Sequence, residues 1–462
     1  MKMEDKNRKI KREAEVSLAE MLEARERRVF RQQELMRAYP GMTLVCFTMN
    51  IAGPVKNSPL IRRGFSHGCA LLRQQLMRFR QKPVYEAVFD ETTGNEGYFV
   101  LDIPPLTVKR MTADLEDHDR IGRLFDMDVL DDEGGKVDRE ELGLAPRTCL
   151  LCGQTAKACA RSRAHTVAEL QEKTNRMLEG FVRAHDLQTI AQDACRALLY
   201  EVCTTPKPGL VDQNNSGSHK DMDIFTFMDS AAALQPYFYR CGEIGMDNRK
   251  KTPEETFSLL RQAGVEAERS MFRVTNGVNT HKGAIFSVGL ACAALGRLDH
   301  EKWSDPAAVL TACGELAAGI TERDFKDLTD ARTVGEKLYL QYGIRGVRGQ
   351  AEDGFPAVLN GGLPVLEREL SAGADINRAG SVALLAIICA DTDTNLIARG
   401  GRQLQLDVTA QIDALLKEQA SPSYETIMQL DCEFIDKNLS PGGSADLLGL
   451  CYLLHFLKTE EE

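Results

Sequence analysis

TTPKPGLVDQNNSGSHKDMD, Thr204 to Asp223, sets Lys207, Asp212, His219, Lys220, Asp221 and Asp223 among Pro206, Pro208, Gly209 and Gly217. The prolines and glycines make this stretch a loop, able to turn side chains and bare backbone N–H groups toward one ligand. On either side, IAQDACRALLYEVC (190–203) and FTFMDSAAALQPYF (225–238) repeat their apolar residues at helical spacing. A charge-dense loop between two core helices is a site pattern. The bland alternative is a solvated connection capped by Ser218 or Asp221.

The same theme continues to the end of the chain. Apolar helices are predicted over 186–203, 224–239, 253–274, 283–296, 305–320, 331–341, 356–371, 380–390, 403–419, 423–436 and 444–458, with strand signals nearly absent. Residues 186–462 therefore read as an all-α domain whose notable side chains sit in the connections.

Upstream the pattern differs. Residues 8–38 read as one long charged helix with Glu and Lys or Arg at spacings of three and four. MTLVCFTMN is β-rich, Pro59–Arg80 helical, and PVYEAVFD and GYFVLDI form a hairpin across ETTGNE. A short acidic helix, TADLEDHDR, precedes a strand and turn in RLFDMDVLDDEGGK, and a polar linker helix is expected near 157–183. Residues 1–185 thus read as an α/β (α+β) domain, and no internal repeat or low-complexity tract is visible.

Composition bounds the function. A chain of 462 residues, 43% hydrophobic and 27% charged, implies two or three soluble domains. No apolar run approaches the roughly 20 residues a membrane span needs. The N-terminus MKMEDKNRKIKREAEV lacks the apolar core of a secretory signal, so a cytoplasmic location is expected. Thirteen cysteines, an odd number with many inside apolar helical runs, fit a reducing compartment. The net charge of −11 argues against a nucleic-acid partner, so a phosphorylated ligand would need local basic clusters.

Strand alternation in RLFDMDVL puts Asp126 and Asp128 on one face and Phe125, Met127 and Val129 on the other. Two carboxylates so spaced can share Mg²⁺ with phosphate oxygens, with Arg123 on the phosphate and Glu116 and His118 just upstream. Asp131 and Asp132 prolong the acidic run, which equally fits a solvated hairpin end. Cys149, Cys152, Cys159 and His165 have spacings a zinc site can use. No second compact pair follows, and small cysteines buried in a turn and helix explain them, so zinc is not expected. In the second half, TNGVNTHKG brings Asn279, Thr280, His281 and Lys282 to a helix start, where N–H groups and the dipole favour phosphate. SPGGSADLL does the same with Gly442, Gly443 and Ser444 ahead of Asp446. YGIRGVRGQ offers Arg345 and Arg348, and DTDTNLIARGGR offers Asp391, Asp393, Asn395, Arg399 and Arg402. Capping explains any one of these loops; together they share one chemical flavour.

These residues resemble a known family. Through Glu201, the KPGLVDQNNSGSHKDMD run, TNGVNTHKG, the Gly343–Gly349 turn, DTNL with Arg399, and SPGGSADLL, the second half resembles the triphosphoribosyl-dephospho-coenzyme A synthases over nearly its full length. Through RQQELM, FTMNIAGPVK, EDHDRIGRLFDMDV and RTCLLC, residues 27–183 resemble the apo-citrate lyase phosphoribosyl-dephospho-coenzyme A transferases. The order matches the bifunctional fusion that builds and attaches the citrate lyase prosthetic group. The resemblance implies ATP and 3′-dephospho-coenzyme A as substrates, Mg²⁺, and the apo acyl-carrier subunit of citrate lyase as acceptor.

Assigned by chemistry on that basis, Asp391 and Asp393 with Asp221 or Asp446 would hold the metal on the triphosphate. Lys207, Lys220, Lys282, Arg345 and Arg348 would neutralise it, with Asn279, His281, Arg399, Gly442, Gly443 and Ser444 beside the nucleotide. His219 or a nearby carboxylate would take the proton, and nothing in the spacing chooses between them. In the first domain Asp126 and Asp128 would carry metal, Arg123 would bind phosphate, and Glu116 or His118 would be the base. Gln350 stands where the resemblance leads one to expect an acid, and Glu352 or Asp353 can substitute. The same chemistry serving malonate decarboxylase, or a regulatory nucleotide- or zinc-binding protein without turnover, are the alternatives.

Overall fold

The computed structural model describes residues 14–326, 328–331 and 333–459. Two compact units divide the chain at His185/Asp186. In chain order the elements up to that division are α1 (Leu18–Ala38), β1 (Thr43–Met49), α2 (Pro59–Arg78), β2 (Tyr85–Glu91), β3 (Gly94–Leu101), α3 (Pro105–His118), β4 (Phe125–Leu130), α4 (Ala156–Ser162) and α5 (Val167–Cys203), within which the division falls. There follow α6 (Ile224–Asp247), α7 (Pro253–Val274), α8 (Lys282–Arg297), α9 (Pro306–Ala317), α10 (Ile320–Phe325), α11 (Val334–Tyr342), α12 (Gly346–Glu352), α13 (Leu363–Ser371), α14 (Ile376–Ala390), α15 (Thr394–Glu418), α16 (Tyr424–Asp436) and α17 (Gly442–Thr459). Among the described residues no single helix is long and apolar enough to cross a membrane.

In the first unit four antiparallel strands lie in the order β2-β3-β1-β4. Alternation divides them. Val45, Phe47, Phe99, Phe125, Met127 and Val129 pack with Phe65, Leu72, Val108 and Leu115 of α2 and α3. Leu44, Cys46, Tyr98 and Val100 face Leu35 and Met36 of α1. Helix α1 opens with a capping box of Ser17 and Glu20; the expected start at residue 8 lies outside the described residues. The acidic helix read from Thr112 begins at Pro105, because proline suits a first helical turn, where no N–H partner is needed.

In the second unit α8 is buried all round, as its unbroken apolar run requires, and packs on α6, α7, α9 and α17. The helix expected from 403 follows a break at Gly401, φ 79°, as the Gly-Gly pair suggested; ahead of that kink α15 begins with a short helical stretch from Thr394, capped by Asp393, which the polar turn did not reveal. The helix expected over 356–371 is split into a π-helical turn, Ala357–Gly362, and α13, whose Pro364 cannot donate a helical hydrogen bond.

Candidate active site

The second unit contains a cleft of about 550 Å³, within the range of small-molecule sites. Turns far apart in the chain form its wall. The 204–223 loop supplies Lys207, His219, Lys220 and Asp221; the approach to α8 supplies Asn279, Lys282 and Gly283; α15 supplies Asn395 and Arg399; and the start of α17 supplies Gly442, Gly443 and Asp446. Glu201, from the end of α5, completes it.

Carboxylates shape the loop. Asp212 accepts the backbone N–H groups of Asn214 (2.7 Å) and Asn215 (3.0 Å) on one oxygen and that of Lys207 (3.1 Å) on the other. Asp431 of α16 accepts the Gly209 N–H and the Asn215 amide, both at 2.8 Å. Gly209 has φ +70°, and a Cβ there would stand 2.2 Å from the Leu439 carbonyl oxygen, so only glycine lets the loop seat here.

Buried charge dominates the cleft. Lys207 and Glu201 form an ion pair with side chains only 2% and 5% exposed. Burial pushes the Glu201 carboxyl up, and Lys207 pulls it down. Asp446 is held well above the carboxylate range by burial and then by Glu201, against the N–H of Ala284. Its Oδ2 would lie 2.0 Å from a Cβ on Gly283, so the first turn of α8 approaches that carboxylate as only glycine permits. His219 places Nε2 2.8 Å from Ser440 Oγ and Nδ1 3.4 Å from Arg399 Nη2. An arginine can only donate, so Nδ1 is the acceptor and Nε2–H donates to Ser440. Burial and then Arg399 lower the His219 pKa, with Asp221 opposing, which keeps the ring neutral near pH 7.

Other candidates stand outside the cleft. Asp393 is saturated: it accepts from the N–H groups of Asn395 (2.8 Å) and Leu396 (3.2 Å) and from the N–H (2.8 Å) and hydroxyl (3.0 Å) of Ser444. This pair therefore fastens α15 to α17 instead of facing a ligand. His281 is buried, with Nδ1 2.7 Å from Ser230 Oγ, and burial followed by Lys207 lowers it to about 3. Arg345 pairs with Asp353 and, at 3.2 Å, with Glu352. Arg348 pairs with Asp324 at 2.8 Å. Neither arginine lines the cleft, because acids nearby in the fold take them. Asp391 accepts the Gln350 amide at 2.9 Å and opens with Arg345 onto a separate pocket of about 300 Å³. Glu352, the suggested substitute acid, instead takes the Thr321 N–H at 3.0 Å. A more apolar cavity of about 400 Å³, lined by Phe257, Leu260 and Phe286, shares Lys282, Gly283 and Val347 with the cleft.

In the first unit Asp126 and Asp128 project from β4 opposite Thr48 and Cys46 of β1. Burial and then Asp128 raise the Asp126 carboxyl, while Lys136, Arg147 and Arg28 oppose this. Lys136 reaches Asp128 at 2.5 Å. Glu96, on the same face of β3 as Tyr98, pairs with Arg28 (3.1 Å) and Arg31 (2.9 Å) of α1. Glu116 does otherwise than expected of a base: it accepts the Met127 N–H at 3.0 Å on the free edge of β4 and pairs with Arg139 at 3.2 Å. Arg147 takes the Phe125 carbonyl (2.8 Å) on that edge, so side chains cap an edge strand. His118 is exposed and paired with Asp114 at 2.9 Å one turn away, and Arg123 donates to the Thr148 carbonyl.

Sequence reasoning missed Glu201 as a site residue, along with Ser440, Lys136, Glu96 and Arg28. A charged residue inside an otherwise apolar run was the available signal for Glu201, whereas Glu96 sits in the polar turn stretch ETTGNE and gave none. Arg28 and Lys136 carried none.

Residues 187–462 match the family model for ATP:dephospho-CoA triphosphoribosyl transferase (CitG), and residues 16–181 that for apo-citrate lyase phosphoribosyl-dephospho-CoA transferase (CitX). Protein CitXG of Haemophilus influenzae is 36% identical over 95% of both chains, and Protein CitXG of Leuconostoc mesenteroides subsp. cremoris is 35% identical over 95% of this chain and 97% of its own. A probable 2-(5''-triphosphoribosyl)-3'-dephosphocoenzyme-A synthase of Citrobacter koseri is 40% identical over 58% of this chain and 90% of its own length. With a CitX region followed by a CitG region, and with bifunctional relatives matched nearly end to end, the chain belongs to the CitXG family of transferases.

Proposed function

We propose that the cleft of the second unit binds ATP and 3′-dephospho-coenzyme A, and that the first unit transfers the product to the acyl carrier of citrate lyase. In the first reaction the 2′-hydroxyl of dephospho-coenzyme A attacks the anomeric carbon of the ATP ribose, adenine leaves, and the triphosphate stays attached. In the second a carrier serine hydroxyl attacks the α-phosphorus of that triphosphate and pyrophosphate leaves. The observation that carries this reading is the meeting of Lys207, Lys220, Lys282 and Arg399 on one cleft beside Glu201 and Asp446.

Lys220, Lys282 and Arg399 neutralise the triphosphate, and Gly283, Gly442 and Gly443, in the opening turns of α8 and α17, line the cleft beside it. Neutral His219 is a suitable acceptor for the 2′-hydroxyl proton once Arg399 turns from Nδ1 toward phosphate. The residues fit Mg²⁺: burial raises both the Glu201 and Asp446 carboxyls, Glu201 raises Asp446 further, and Lys207 alone leaves buried negative charge that a divalent cation would balance. When bound, the ion neutralises triphosphate oxygens. In the first unit Asp126 and Asp128 are the corresponding pair, their mutual repulsion supporting the same role. Incubation with ATP, dephospho-coenzyme A and purified apo-carrier should add the mass of one phosphoribosyl-dephospho-coenzyme A group to the carrier. An unchanged carrier mass with folded enzyme refutes the reading.

A further inference from the structure

We propose that Cys149, Cys152, Cys159 and His165 form a structural zinc site in the first unit. The three sulfurs and one ring nitrogen of His165 lie within 4.8 Å of one another. Cys149 and Cys159 place their sulfurs 3.4 Å apart. Thiolates at about 2.3 Å from a tetrahedral zinc sit about 3.8 Å from each other, so the cluster needs only a small expansion to admit the ion. A disulfide is a poor description, because its sulfurs would be about 2.05 Å apart.

A second observation points the same way. His165 Nε2 is buried with no hydrogen-bond partner among the described residues, a state that buried polar atoms avoid unless something else satisfies them. The cysteines are not apolar filler either: none of the three belongs to the hydrophobic clusters, whereas Cys69 does.

The backbone is built for ligation. Cys149 and Cys152 flank a tight turn in which the Leu151 N–H donates to Cys149 Sγ at 3.4 Å, a bond that suits a thiolate. The turn is closed by the Cys149 N–H on the Gln154 carbonyl and the Ala156 N–H on the Arg147 carbonyl, both 2.8 Å. Cys159 follows on α4, and Arg163, left-handed at φ 47°, turns the chain so that His165 joins the sulfurs. This folding back removes the need for the second compact pair whose absence argued against zinc. Three thiolates and an imidazole suit zinc, and four protein ligands close its shell, which marks a structural ion. What it would hold is the base of the Asp126 strand: Arg147, two residues before Cys149, donates to the carbonyls of Phe125 (2.8 Å) and Arg123 (2.9 Å).

The test is elemental analysis of the untagged full-length chain, purified without chelator from zinc-supplemented cells. About one zinc per chain is expected, falling at least tenfold in Cys152→Ser/His165→Ala and unchanged in Cys432→Ser, which alters an exposed cysteine of the second unit. Should the double variant fail to fold, the cobalt-exchanged parent chain decides, because tetrahedral thiolate ligation gives strong visible ligand-field bands. A zinc-free parent without those bands, a folded double variant that keeps its zinc, or an intact mass showing a Cys149–Cys159 disulfide would each overturn the proposal.

Discussion

At the residue scale, the buried Glu201–Lys207 pair bears on stability, and in the proposed function it also lines the reacting cleft. Removing one member strands a buried charge. Lys207→Met should therefore cost about 3–5 kcal/mol in urea unfolding, and adding Glu201→Gln should recover much of that loss. Asp391 gives a pH signature. Burial, and after it Asp393, lifts its carboxyl from 3.8 to about 7. Between those values the folded chain holds more protons than the unfolded chain, so the stability this group contributes is complete below about pH 4 and lost as pH rises through about 7. Asp391→Asn should thus raise Tm by roughly 2–4 °C at pH 8 and leave it near the parent value at pH 4; equal shifts at both would refute the assignment. The polar identity of most cleft residues was legible at this scale. What was not legible was occupancy: nothing local reveals that Arg348 is taken by Asp324 or that all four acceptor positions of Asp393 are used.

At the element scale, glycine at the start of α8 lets backbone and carboxylate meet. Gly283→Ala would drive a methyl group against Asp446, so adenine release should fall by about 100-fold or more, as expected for a misplaced site carboxylate. Thermal scans should show only the ~1–3 kcal/mol of an overpacked contact. Supplying the presynthesised triphosphoribosyl intermediate should restore carrier labelling. Strand β4 was legible in detail, because alternation in RLFDMDVL sorted its side chains correctly between faces. Its edge was not, since Glu116 and Lys109 of the preceding helix α3 and Arg147 from beyond the strand reach it by tertiary packing that alternation does not encode. At α15 the local Gly-Gly signal did mark a break, at Gly401, while the short stretch from Thr394 that the Asp393 cap holds helical ahead of it was missed.

At the scale of the whole molecule, the proposed reading gives each of the two compact units one of the two activities. Asp126→Asn with Asp128→Asn should abolish carrier labelling, measured by intact mass, while chromatography still finds adenine released from ATP at close to the parent rate. Loss of both activities in a folded variant would contradict this division of labour. Sequence patterns separated a mixed region from a helical one, because strand alternation and helical periodicity differ in kind. Convergence of the loops on one cleft rests on tertiary packing that periodicity does not encode.

The wall formed by Lys282, Gly283 and Val347 has the polar cleft on one side and the apolar cavity on the other. Two small inhibitors, one anionic and one greasy, would therefore press on the same three residues from opposite sides. A tethered compound with one head in each chamber should outcompete the unlinked pair, and the shortest tether that still works would measure the thickness of the partition.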